Sequence, residues 1–243
     1  MGARIEEFSQ FYEGNPSVVA AALFGSRARG DHEENSDTDI LLVTSGTKPK
    51  HILEGSFSLS FYSQDDLIEK ARSGDLFVCH IVYEAKPLQD QNGFFDHLKQ
   101  HFHFRNSYNQ EIEYASDLGW FLFHHSKLFE NYKITNKRIA WCVRTILIAH
   151  SAEKKDPIFA ASRLAESVDS PTVRKLINNK DVDQLDKKLL KEFASFLEDY
   201  TASNDHLKMS VHNYLTKFRA SKNKVALNTF RALFTEEHML SYE

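Results

Sequence analysis

An apolar run from Val18 to Phe24 ends abruptly at Gly25-Ser26-Arg27-Ala28-Arg29-Gly30. After a polar interval, Asn35-Ser36-Asp37-Thr38-Asp39 leads into a second apolar run, Ile40-Leu41-Leu42-Val43. Few folds accommodate this order. Gly25 falls where a buried strand would end and a helix begin, a place suited to holding phosphate. A residue without Cβ lets backbone N–H groups approach an anion, Ser26 adds a hydroxyl, and a helix N-terminus adds a favourable dipole. Asp37 and Asp39 stand two apart at the start of the next strand-like run, so strand periodicity points both carboxylates to one face. Two carboxylates beside a phosphate cradle suggest Mg²⁺, which takes oxygen ligands from one or two carboxylates plus substrate phosphates.

The combination Gly-Ser-x-Ala-x-Gly followed by Ser-Asp-x-Asp-Ile-Leu-Leu-Val resembles the nucleotidyltransferase superfamily that includes DNA polymerase β, aminoglycoside nucleotidyltransferases and the minimal nucleotidyltransferases of prokaryotes. The resemblance implies that Gly25 and Ser26 hold a triphosphate and that Asp37 and Asp39 bind divalent metal, Mg²⁺ or Mn²⁺. It also implies transfer of a nucleoside monophosphate from a nucleoside triphosphate, with ATP the expected one, to a hydroxyl. Small molecules, protein side chains and RNA ends are the three acceptor classes. Arg29 is a candidate for the triphosphate oxygens, and Arg27 a weaker one. Many relatives place a third carboxylate on the following strand. Ser58 stands there in this chain, and Glu54, just upstream, is the candidate acid. A non-catalytic nucleotide sensor is the rival reading that Ser58 favours.

With 243 residues, 42% of them apolar and 26% charged, the chain has the composition of a globular protein of two modest domains. The net charge of −4 does not advertise nucleic-acid binding. Cys79 and Cys142 are too few for a zinc site or a disulfide framework, and both lie among apolar residues, as buried thiols do. No segment has the length of apolar residues that spans a bilayer, and the first residues do not read as a signal peptide, so the expected location is cytoplasmic with no membrane partner.

Along the chain, Ile5, Phe8, Phe11 and Tyr12 predict a short helix over Ala3 to Tyr12. Strands are predicted from Val18 and over Thr38 to Thr44, with a helix from Ser26 to about Glu33 between them. Ser45 to Gly55 reads as an exposed turn. Phe57, Leu59 and Phe61 alternate with polar residues as a third strand, and Ser63 with Asp66 caps the next helix. Leu76 to Glu84 is a largely apolar element, and Lys86 to Asp90 a short final strand. The expectation is therefore α+β: a nucleotidyltransferase-type mixed β-sheet flanked by helices over 1–100, then an all-α helical bundle over 101–243.

In the second part, stripes over Tyr114 to Phe129 and Ile139 to His150 predict helices, the latter capped by Thr135 or Asn136. Asp156-Pro157 and Ser170-Pro171 read as helix starts, Leu185 to Leu197 as a later helix, and His206 to Arg219 and Val225 to Phe234 as the last two. Arg144 followed by His150 is similar to the Arg–His pattern of ribonucleases with the HEPN helical fold; a helix-end histidine beside a solvated arginine is the simpler reading. Lys208, His212, Lys217, Arg219, Lys222 and Lys224 form a basic stretch, read as a solvated helix end in preference to an RNA-binding face. The bundle is expected to wall the nucleotide cleft and select the acceptor.

Overall fold

The computed structural model describes residues 8–34, 36–46, 48–202 and 208–234. They form two compact units that divide between Asn106 and Ser107. The first is an α+β unit built on a five-stranded mixed sheet, and the second is helical.

In the first unit, β1 (Val18–Phe24), β2 (Thr38–Thr44), β3 (Lys50–Glu54), β4 (Phe57–Ser63) and β5 (Lys86–Asp90) stand in the order β3-β4-β2-β1-β5. β1 runs antiparallel to β2 and β5, β2 parallel to β4, and β3 antiparallel to β4. The central strands are apolar because both faces of the sheet are covered. On one face Ala20, Phe24, Leu41 and Val43 pack with Leu67, Ala71, Val78, Ile81, Phe94 and Leu98, carried by α2 (Gln64–Arg72), α3 (Leu76–Glu84) and α4 (Phe94–His101). On the other, Ala21, Ile40, Leu42 and Leu59 pack under Phe8 and Tyr12. A helix of only five residues, α1 (Gly25–Arg29), joins β1 to the loop before β2.

Several expectations are corrected here. The helix after Ser26 stops at Arg29 rather than near Glu33, because Gly30 adopts φ +88° and returns its N–H to the Ser26 carbonyl at 2.8 Å. The expected turn over 45–55 contains strand β3, fully exposed and held by pairing with β4 across the Gly55-Ser56 turn. The apolar element from Leu76 is helical, with Asp75 accepting hydrogen bonds from the N–H groups of Phe77 and Val78. The predicted Ala3 to Tyr12 helix falls partly outside the described residues. The Ser63 cap forms as expected, accepting from the Asp66 N–H at 3.1 Å while donating to the Asp66 carboxylate at 2.6 Å.

The second unit contains α5 (Asn109–His125), α6 (Tyr132–Glu153), α7 (Ala161–Ser167), α8 (Pro171–Asn178), α9 (Lys187–Tyr200), α10 (Val211–Ala220) and α11 (Lys224–Leu233). α6 starts earlier than expected: Asn131 is its cap, whereas Thr135 and Asn136 are buried inside it, Asn136 donating to the Val182 and Gln184 carbonyls. Asp156-Pro157 starts no helix, since the chain stays irregular until Ala161. Ser170-Pro171 does start one, Ser170 accepting from the Val173 N–H. The predicted start at His206 lies outside the described residues. Both cysteines are buried, and burial pushes the Cys79 thiol up to about 12 and the Cys142 thiol well above its ordinary value. Among the described residues no helix is long and apolar enough to cross a membrane.

Candidate active site

The site begins with a register. Antiparallel pairing of Phe24 with Asp39 sets the last residue of β1 beside the second residue of β2. Gly25 then turns the chain with φ +73°, and its α-carbon lies under the Asp39 carboxylate: a Cβ built on Gly25 would come within 2.4 Å of Asp39 Oδ2. Glycine at this position therefore makes room for the acid. That close approach links the Gly25-Ser26 turn to Asp39 directly, two of the features predicted to cooperate.

Asp37 lies just before β2 and is exposed, while Asp39 is half-buried. The approach of the loop to β2 is fixed by Arg27, whose guanidinium donates to the Ser36 carbonyl from Nε at 3.2 Å and Nη2 at 2.7 Å. A further bond, from the Thr38 N–H to the Ser56 carbonyl at 2.8 Å, anchors the strand start. Arg27 thus braces the segment that carries Asp37. That role was not read from the sequence, because nothing in the Arg-x-Arg spacing tells which arginine turns back onto the loop.

Arg29 meets protein carboxylates: Nη1 is 2.6 Å from Glu84 Oε2, and Nε is 3.1 Å from Asp31. His80 Nε2 is 2.8 Å from the same Glu84 oxygen, so α1 is knotted to α3. Burial would raise the Glu84 carboxyl, but hydrogen bonds and charge from His80 and Arg29 outweigh it and hold the group below its ordinary value of 4.5. A depressed carboxyl contributes stability that is present above the ordinary value and lost as pH falls through the lowered one. Glu84→Gln is accordingly expected to destabilise the chain by about 1–3 kcal/mol near neutrality. Thermal unfolding should show that gap narrowing as pH falls below the ordinary carboxylate range and through the lowered value, where the wild-type carboxyl itself takes up a proton.

Glu54 is placed elsewhere. It pairs with Phe57, and Phe57 pairs with Thr38, so Glu54 belongs to the sheet face opposite that of Asp39. The residue beside Asp39 on its own face is Ser58, directly across in the parallel β2–β4 register. Ser58 is buried, and its Oγ is 3.0 Å from Nε2 of His51, on β3. His51 escaped sequence reasoning because the strand that presents it was read as a turn. The signal was available in Gly55-Ser56, a two-residue hairpin turn between Lys50-His51-Ile52-Leu53-Glu54 and β4.

The remaining candidates lie in the helical unit. His150 donates from Nε2 to the Tyr200 carbonyl at 2.9 Å and has Glu153 3.3 Å from Nδ1, and Arg144 donates to the Phe159 carbonyl at 3.3 Å. These bonds tie both side chains into helix packing. In the basic stretch, Lys217 pairs at 2.8 Å with the buried Asp117. Among the described residues no three His, Cys, Asp or Glu side chains gather as a metal shell. The donor set at β2 is two carboxylates, all oxygen, next to a glycine cradle that a Cβ would fill. That set fits a hard cation completing its coordination with phosphate oxygens and water.

Residues 6–93 match the sequence model of the family described as Polymerase beta, Nucleotidyltransferase. No curated protein matches the chain. Among solved structures, one similar chain is a nucleotidyltransferase-like protein from Exiguobacterium sibiricum 255-15, with 14% identity, a TM-score of 0.36, and coverage of 93% of this chain and 90% of that one.

Proposed function

We propose, from the premise that residues 6–93 are a domain of the nucleotidyltransferase superfamily, that this chain transfers a nucleoside monophosphate from a nucleoside triphosphate to a hydroxyl and releases pyrophosphate. ATP is the expected donor. Gly25 and Ser26 hold the β- and γ-phosphates, leaving the α-phosphorus presented in line to the acceptor oxygen. Asp37 and Asp39 would hold the divalent cation, Mg²⁺ or Mn²⁺, and neutralisation of phosphate charge is the chemistry such an ion supplies. The protein's own contribution is positioning: Arg27 braces the loop before Asp37, and the Arg29–Glu84 pair steadies the turn that carries Ser26. Arg29 is engaged by carboxylates, so its part in this reading is to support the turn rather than to contact phosphate.

The observation that carries the reading is the contact between Gly25 and Asp39, which joins a phosphate-binding turn to a cation-binding acid. The test uses α-labelled ATP, CTP, GTP and UTP with Mg²⁺ or Mn²⁺ and small-molecule, protein and RNA acceptors. Labelled product and stoichiometric pyrophosphate are expected, both lost when Asp37→Asn and Asp39→Asn are combined in a chain that still folds. Transfer that survives the double substitution overturns the assigned roles. Tight triphosphate binding without pyrophosphate over the whole acceptor screen would make the site a sensor instead.

A further inference from the structure

Transfer to a hydroxyl must release a proton, and the residues assigned above leave no group to receive it. Asp37 and Asp39 are committed to the cation in that reading, Glu54 is on the other face of the sheet, and His80 is bound to Glu84 at 2.8 Å. The face that carries Asp39 offers one further pair. Asp39 and Ser58 are direct neighbours in the parallel register, so their Cβ atoms are separated by about one inter-strand spacing, roughly 5 Å. One strand further out, His51 shares that face with Leu53, which pairs with Ser58, and His51 Nε2 lies 3.0 Å from Ser58 Oγ. Ser58 is 7% exposed, whereas His51 is open to solvent. A buried hydroxyl beside the site is thus wired to an imidazole that can exchange protons with water.

We propose that Ser58 and His51 form the proton relay of the transfer step, an inference that rests on the nucleotidyl-transfer reading of the same site. The acceptor oxygen forms its bond to the α-phosphorus as the bond from that phosphorus to the pyrophosphate oxygen breaks. The acceptor's hydroxyl proton passes to Ser58 Oγ, the Ser58 proton passes to His51 Nε2, and the imidazolium returns it to water after pyrophosphate departs. The relay requires His51 in the tautomer with its resting proton on Nδ1, so that Nε2, 3.0 Å from Ser58 Oγ, is the acceptor. Serine alone could not hold the proton; the histidine behind it can.

The experiment uses the full chain with α-labelled ATP, Mg²⁺ and glycerol as a generic hydroxyl acceptor, together with calorimetric binding of a non-hydrolysable ATP analogue. His51→Gln is expected to lower kcat about 100-fold while KM for ATP and analogue binding stay within about twofold. Ser58→Ala should cost the same, and the two together no more than either alone, as members of one relay behave. Ser58→Asp in the His51→Gln background, which sets a carboxylate beside Asp39, should recover at least about tenfold. Unchanged kcat in His51→Gln, additive losses, or loss of analogue binding in parallel with kcat overturns the relay. If transfer remains dependent on Asp39 yet indifferent to His51, the relay fails alone. Absence of any transfer by the wild-type chain to glycerol or water, or transfer indifferent to Asp39, overturns relay and site together.

Discussion

Gly25→Ala is expected to lower nucleotidyl transfer about 1,000-fold, a loss comparable to removing a catalytic group, although the substitution adds one methyl. Two effects combine. The new Cβ would stand 2.4 Å from Asp39 Oδ2, where ordinary contact begins near 3.4 Å, so the carboxylate must shift by about 1 Å, and a displacement of that size at a reacting centre costs about 100-fold. Gly25 also holds φ +73°, a conformation that disfavours a side chain by about 1–2 kcal/mol. Relaxing that strain moves the turn and adds about another tenfold. Steady-state kinetics with labelled ATP would read the loss, and thermal unfolding should show a stability change of only about 1–3 kcal/mol. Gly30→Ala separates the two effects: Gly30 sits at φ +88° with no atom within 4 Å of its would-be Cβ. That variant carries strain without collision and should keep activity within about tenfold of wild type. A Gly25→Ala enzyme equally active would sever the turn from the acid.

The parts of this site legible in the sequence are those specified by neighbours along the chain. β1 and β2 are apolar runs with both faces buried, Gly25 and Ser26 follow one, and the two aspartates open the other, so pattern alone locates the turn and the carboxylates. What was not legible depends on pairing between distant strands. β3 has five exposed residues, three of them charged or histidine, and its only claim to strand structure is its ladder with β4. Missing it hid both the face on which Glu54 lies and the contact from His51 to Ser58. Likewise Arg29 and Glu84 are 55 residues apart, and their bond follows from α1 lying against α3. In the helical unit, proline at the first turn marked α8 but misled at Asp156-Pro157. There the side chain of Ser151, near the end of α6, accepts from the Ile158 N–H at 3.0 Å and ties the segment down in irregular form.

The helical unit is expected to depend on Phe121 more than on any ion pair: Phe121→Ala should destabilise it by about 4 kcal/mol. Phe121 on α5 is fully buried, and its ring centroid lies 5.4 Å from that of Tyr214, 5.6 Å from Phe218 and 5.8 Å from Phe230, so α10 and α11 close onto it. Phe129 at 5.5 Å supplies another wall. Truncation removes the transfer free energy of a benzyl group and leaves a void that rings held from several elements cannot collapse to fill. Phe121→Leu keeps much of the volume and should cost only about 1–2 kcal/mol. The chain's two tryptophans, Trp120 and Trp141, both lie in 107–243, so intrinsic fluorescence reports this unit selectively. In urea, with a slope of about 2 kcal/mol per molar, the alanine variant should move the fluorescence midpoint down by about 2 M with the slope retained. A shift under about 0.5 M would mean that the surrounding rings repack freely, and that the aromatic cluster is not the point on which these helices converge.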